Sequence, residues 1–171
     1  VSPTDYDQRH TGNVTFDYRT GDGRGVFNNF GVNVLFQFGS GLRYTPSEPR
    51  SEIFGGSLSY NPTAALNSGT MPRTFQLDMK IDKSFKLGPT SLNAFLWIEN
   101  VLDRQNTRSV YNSTGLPYTD GHLTTTAGQN WLNNVAVGGP EFGNKIYEAH
   151  VGEPSNYGKP RQIRFGLRLN L

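Results

Sequence analysis

The 171 residues contain no cysteine, so neither a disulfide framework nor a thiolate metal site is available to the fold. Long hydrophobic runs are also missing, since no stretch approaches the roughly 18 consecutive apolar residues that a membrane-crossing helix requires. Mean hydropathy is −0.55. Helical spans are thereby excluded. Strand-built spans are not, because membrane strands alternate apolar with polar residues and are hydrophilic on average. Excess charge of one sign is absent too: 16 Lys and Arg stand against 14 Asp and Glu, which leaves no footprint for nucleic acid or for a polyacidic partner.

Catalytic and ligand-binding signatures are equally sparse. His10, His122 and His150 are scattered, without ligand-like spacing to one another or to acids. Asp120-Gly121-His122 reads as a loop turn. No serine, histidine and acid grouping argues for a triad, so no enzyme and no cofactor are expected. Gly21, Gly23 and Gly25 are not followed by a helical pattern, which favours a hairpin turn over a phosphate cradle. Asn13 and Asn112 head glycosylation-type triplets that are read as chance.

What the chain does have is turn residues and alternation. Gly at 20 and Pro at 10 point to many turns and few long helices. Five segments carry a period of two over about 9 to 11 residues, the length a tilted membrane strand needs. In residues 10–20, Val14, Phe16 and Tyr18 share one face against Asn13, Thr15, Asp17 and Arg19. Residues 30–44 set Val32, Val34, Phe36 and Phe38 against Asn33, Gln37 and small glycines. Residues 73–85 oppose Phe75, Leu77, Met79, Ile81 and Phe85 to Gln76, Asp78, Lys80, Asp82 and Ser84. Residues 91–102 are less clean, because Phe95 and Trp97 make the second face bulky as well. Residues 163–171 set Ile163, Phe165, Leu167, Leu169 and Leu171 against Arg164, Gly166, Arg168 and Asn170.

Short Gly-rich turns (TGDGRGV at 20–26, KLGPT at 86–90) alternate with long Pro-, Asn- and Ser-rich connections at 43–72 and 103–160. Outer-membrane barrels show this asymmetry, with short turns on the periplasmic side. The second connection predicts a short helix capped by Thr126 through Trp131, Leu132 and Val135, stopped by Gly138, Gly139 and Pro140. A further helical turn is expected to place Phe142, Ile146 and Tyr147 on one face. Five strands cannot close a membrane barrel, whose smallest members have about eight, and open edges are not tolerated in lipid. The fold class expected is therefore all-β, an antiparallel transmembrane barrel segment with no separate second domain. It is expected to form part of a larger barrel, with an upstream portion preceding Val1.

Several stretches resemble the C-terminal region of TonB-dependent receptors, particularly those with an N-terminal carboxypeptidase-regulatory-like domain. YDQRHTGN at 6–13 looks like the entry to a late strand, and GSGLRYTP at 39–46 resembles a strand end before an extracellular loop. RTFQLDMKIDKSFKL at 73–87 and FLWIENVLDRQN at 95–106 resemble the penultimate pair. VYNSTGLP at 110–117 and PSNYGKPRQIRFGLRLNL at 154–171 resemble the closing loop and last strand. The resemblance covers nearly the whole chain. It implies a bacterial outer-membrane receptor for energy-coupled uptake of a large or scarce substrate.

Its expected partners are outer-membrane lipid, the remaining strands and plug of the same barrel, and the TonB coupling complex acting through upstream residues. The barrel assembly machinery is expected to read a β-signal at Arg164, Gly166, Leu169 and Leu171. Leu171 departs from the family's usual terminal aromatic. Tyr18, Tyr44, Trp97 and Tyr111 are candidates for interfacial girdles, and Tyr118 and Trp131 for ligand contact, with loop ordering and strand packing as the plainer readings. Two rival readings are a trimeric outer-membrane anchor and a soluble carbohydrate-binding β-sandwich. The anchor would need heptads and short loops, and neither is present; the sandwich would stay dissolved without detergent.

Overall fold

The computed structural model describes residues 2–21, 23, 25–49, 61–134 and 138–170. They are predominantly antiparallel β-structure, and no helix among them is long and apolar enough to cross a membrane. They divide into two compact units, a sheet and a unit built from the N-terminal lead and the long connections.

The sheet contains β1 (Thr11–Arg19), β2 (Phe30–Gly39), β5 (Thr74–Leu87), β6 (Thr90–Glu99) and β7 (Gln162–Asn170), paired in that order and each antiparallel to its neighbour. The short ladder of the other unit supplies β3 (Arg43–Tyr44) and β4 (Gly69–Thr70). The five predicted alternating segments are thus the five sheet strands, with shifted ends. Predicted strand 30–44 is split, because residue 41 meets a second backbone. A Cβ on Gly41 would stand 1.7 Å from the Met71 carbonyl oxygen, and Met71 N–H donates to Leu42 O at 2.9 Å. Arg43–Tyr44 therefore pairs with Gly69–Thr70 instead of prolonging β2.

β6 stops at Glu99, three residues short of the expected end, since Asn100 turns the chain with φ 54°. The turn between β5 and β6 needs only residues 88–89, and Gly88 takes the positive φ of 66° that the first position of such a two-residue hairpin turn favours. The β1–β2 connection is longer than predicted and occupies residues 20–29.

The second unit holds all the large apolar side chains that are buried among the described residues: Leu132, Tyr147 and Val151. Tyr44 lays its ring against the missing side chains of Gly69 and Gly115, where a Cβ would approach ring atoms to 2.5 Å and the hydroxyl to 2.2 Å. Arg43 Nε donates to Asp7 Oδ2 at 3.2 Å, and its Nη1 donates to Thr70 Oγ1 at 2.7 Å. Buried Asn67 holds a left-handed φ of 56° by donating its backbone N–H to Thr45 Oγ1 and its side-chain amide to Pro3 O.

Two helices belong to this unit, α1 (Thr126–Asn134) and α2 (Pro140–Val151). The cap of α1 is Thr125, one residue before the predicted Thr126, and its Oγ1 accepts from Gly128 N–H at 3.0 Å. Predicted Val135 lies outside the described residues. Pro140, expected as a stop, opens α2 at a position where the missing N–H costs nothing. The buried stripe of α2 is Gly143, Tyr147 and Val151, spaced by four. Phe142 and Ile146, expected beside Tyr147, face solvent instead.

Candidate functional surface

Alternate residues of a strand point to opposite faces, and the register carries this across all five strands. Phe16, Val34, Met79, Ile98 and Ile163 stand side by side, and so do Tyr18, Val32, Ile81, Leu96 and Phe165. The intervening row is Asp17, Asn33, Lys80, Trp97 and Arg164. One face is therefore almost wholly apolar and the other predominantly polar.

The apolar face has nothing packed on it within the sheet unit. The described sheet residues classed as buried are Gly31 and Gly39, and neither has a side chain to contribute to a core. Phe16 is 59% exposed, Phe165 71% and Leu169 57%. At ~4.8 Å between strands and ~3.3 Å per residue, five nine-residue strands present a face of roughly 700 Å². Soluble monomers seldom leave apolar patches beyond about 300–600 Å² uncovered, and larger ones mark membrane or protein contact. Aromatic pairs run within this face, with Phe36 stacked at 6.2 Å from Phe38 and 6.4 Å from Phe75. Lys83 breaks the row. It turns its ammonium to the carbonyls of Val26 and Asn28, so its charge is spent on the 20–29 turn.

The polar face is cross-linked from strand to strand. Asp17 receives Arg19 at 3.1 Å and Asn33 Nδ2 at 2.9 Å, and Arg19 also reaches Asp82 at 3.6 Å. Asn93 Nδ2 donates to Ser84 Oγ at 3.0 Å. Arg164 pairs with Glu99 at 3.1 Å and lies 5.1 Å over the Trp97 ring. At the strand end, Asp78 Oδ1 accepts from Asn100 N–H at 2.8 Å. The Asn100 side chain donates to Arg104 O and Lys159 O, closing the 100–104 turn. Both lateral edges are open among the described residues, since β1 and β7 each pair on one side only.

The predicted β-signal is split by this geometry. Arg164 and Gly166 sit on the polar face, opposite Trp97 and Phe95, while Leu169 sits on the apolar face opposite Leu92. Leu171 lies outside the described residues. Tyr18 belongs to the apolar face and Trp97 to the polar one. Tyr44 and Tyr111 belong to the other unit, where Tyr111 OH donates to Val151 O at 3.1 Å.

In that unit Asp120, singled out beside His122, is a structural hub. Its carboxylate accepts from Tyr147 OH and, at 2.8 Å, from His122 N–H. Burial raises the Tyr147 hydroxyl pKa above 10.0, and its hydrogen bond to Asp120 adds to the rise. Tyr111 is raised chiefly by burial and then by the Asp120 charge. Sequence reasoning missed this hub because Asp120 and Tyr147 are 27 positions apart. No three His, Cys, Asp or Glu side chains among the described residues converge as metal ligands. Tyr118 is exposed, and Trp131 is half-buried on α1.

Comparison with protein-family models, curated proteins and solved structures returned no match to this chain.

Proposed function

We propose that this chain is the closing part of a bacterial outer-membrane β-barrel of the TonB-dependent receptor kind. The observation that carries the reading is the sheet itself: five antiparallel neighbours in chain order, with an apolar face left without a core. Strands of nine to fourteen residues suit a tilted crossing that needs about 9–11. Lipid would cover the apolar face, and the cross-linked polar face would line the barrel interior.

The open edges of β1 and β7 would be closed by the remaining strands, because an unpaired backbone amide costs several kcal/mol in hydrocarbon. On this reading the protein takes up a large or scarce substrate, with the plug and the TonB-coupling segment upstream. The residues 40–73 and 100–161 would form extracellular loops, and β7 would be recognised by the barrel assembly machinery through Arg164, Gly166, Leu169 and Leu171. No catalytic role is assigned.

The test is the intact mass of the source polypeptide in detergent-extracted outer membranes. A mass several times 19.0 kDa with these residues at its C-terminus is the expected result. A mass near 19.0 kDa, or recovery without detergent, would overturn the reading.

A further inference from the structure

The ion pairs of the polar face leave a remainder. Asp17 and Asp82 are engaged by Arg19, and Glu99 by Arg164. Asp78 takes Gln76 Nε2 at 2.9 Å and the Asn100 backbone at 2.8 Å. Lys80 and Arg168 make no ion pair with any described carboxylate. Lys80 instead rests its ammonium 5.6 Å from the centre of the Phe95 ring, and Arg168 is exposed on the edge strand.

These two cations line one groove of about 270 Å³ on the sheet, together with Arg19, Asp82, Ser84, Asn93 and Asn170. Its lining holds three cations against one carboxylate, and that carboxylate already faces Arg19. Ser84 Oγ accepts from Asn93 Nδ2, which leaves its own hydroxyl proton to be donated elsewhere. The groove thus carries excess positive charge and several donors, with the amide oxygens of Asn93 and Asn170 as its neutral acceptors.

We propose that this groove binds a small solute carrying phosphate or carboxylate groups, with Lys80 and Arg168 as its cationic contacts and Ser84 as a neutral donor. Charge complementarity selects the ligand class. A guanidinium engages either oxyanion in bidentate fashion, and an ammonium adds a point charge. Cations already held by acids, Arg164 above all, contribute little. The site rests on the sheet's polar face alone and does not depend on what covers the apolar face.

The test is titration of the source polypeptide that carries these residues, purified in its folded form at low salt, with inorganic phosphate, pyrophosphate and citrate in turn. Tryptophan fluorescence and calorimetry report binding, since Lys80 and Trp97 are register partners. Saturable binding is expected, weakened about tenfold by Arg168→Gln and lost in the Lys80→Gln/Arg168→Gln double variant. Ser84→Ala should cost a smaller factor, and Arg161→Gln, whose guanidinium pairs with Asp103 outside the groove, should leave affinity within about twofold. Preference for pyrophosphate or for citrate assigns the phosphate or the carboxylate class. No saturable binding of any probe by a chain with intact β-sheet circular dichroism would overturn the proposal. Equal binding by the double variant and the wild type would overturn it as well.

Discussion

The ring of Phe95 lies over Gly166 on the neighbouring strand, so that a Cβ built on Gly166 would stand 2.3 Å from Phe95 Cζ. This contact gives Gly166 a packing reason that is separate from any role in an assembly signal. Phe95 is bulky and sits on the polar face, and the absent side chain opposite provides its space. The same device recurs at Gly12, where a Cβ would meet the Phe38 ring at 2.7 Å on the apolar face.

Gly166→Ala is accordingly expected to destabilise the folded sheet by about 1–3 kcal/mol, the usual range for overpacking. In a Phe95→Ala background the same change should cost less than about 0.5 kcal/mol, the level typical of a site with no special contact. Denaturant unfolding of the four chains of this double-mutant cycle measures the coupling. An equal cost in both backgrounds would remove the packing explanation.

Asn100 supports a second prediction. Its Nδ2 donates to two carbonyls, its Oδ1 accepts from Arg104 N–H at 3.1 Å, and its φ is 54°. Asn100→Ala should cost about 2–4 kcal/mol, combining buried polar groups left unpaired with a side-chain-bearing residue in the left-handed region. Asn100→Gly should recover about 1 kcal/mol of that loss, because glycine removes the backbone strain but not the missing hydrogen bonds. If the two variants unfold at the same denaturant concentration, backbone strain plays no part at this position.

The extent to which these features were legible follows from their range in sequence. Period-two alternation is local, so Val14, Phe16 and Tyr18, or Ile163 through Leu169, marked their strands and faces without knowledge of any partner. The Gly88-Pro89 turn was readable for the same reason. The start of α1 was misplaced by one residue because three consecutive threonines, Thr124 to Thr126, offer the same kind of cap, and only the oxygen nearest Gly128 N–H decides among them. The break after Gly39 was hidden, since it depends on Met71 approaching Gly41 from 30 positions away. Phe142, Ile146 and Tyr147 were grouped on one face by hydrophobicity, yet of the three only Tyr147 is buried: the helix packs through Gly143, whose small size permits close approach, and through Tyr147, whose hydroxyl finds Asp120.

That hydroxyl gives a pH prediction. The Tyr147 and Tyr111 pKa values are raised above 10.0 in the folded chain, in each case first by burial. Above pH 10 the unfolded chain releases these protons while the folded chain retains them. The folded state then binds more protons, and stability falls as pH rises. Their contribution is complete below pH 10 and is lost through the alkaline range above it. Thermal unfolding followed by near-ultraviolet circular dichroism between pH 8 and 11 should show this decline. Tyr147→Phe should flatten the decline while lowering stability by about 1–3 kcal/mol at pH 8, because Asp120 loses a buried donor. An unchanged alkaline slope in Tyr147→Phe and Tyr111→Phe together would refute the assignment.

The apolar face permits the sharpest distinction, because water and lipid give opposite answers at one residue. Phe165 stands midway along β7, paired with Leu96 and 71% exposed. If that face meets water, Phe165→Lys is a surface substitution, expected within about 0.5 kcal/mol of neutral. If it meets hydrocarbon, a lysine near the midplane costs about 2–4 kcal/mol, and the penalty falls to about 0–1 kcal/mol towards the strand ends. Lysine placed in turn at Ile163, Phe165, Leu167 and Leu169 therefore reads the solvent of the face as a profile. Folding into lipid vesicles, followed by denaturant titration, should give a maximum at the central positions. Arg168→Lys on the opposite face should leave stability unchanged. A flat profile along β7 would mean that water or a soluble partner, and not a bilayer, covers these side chains.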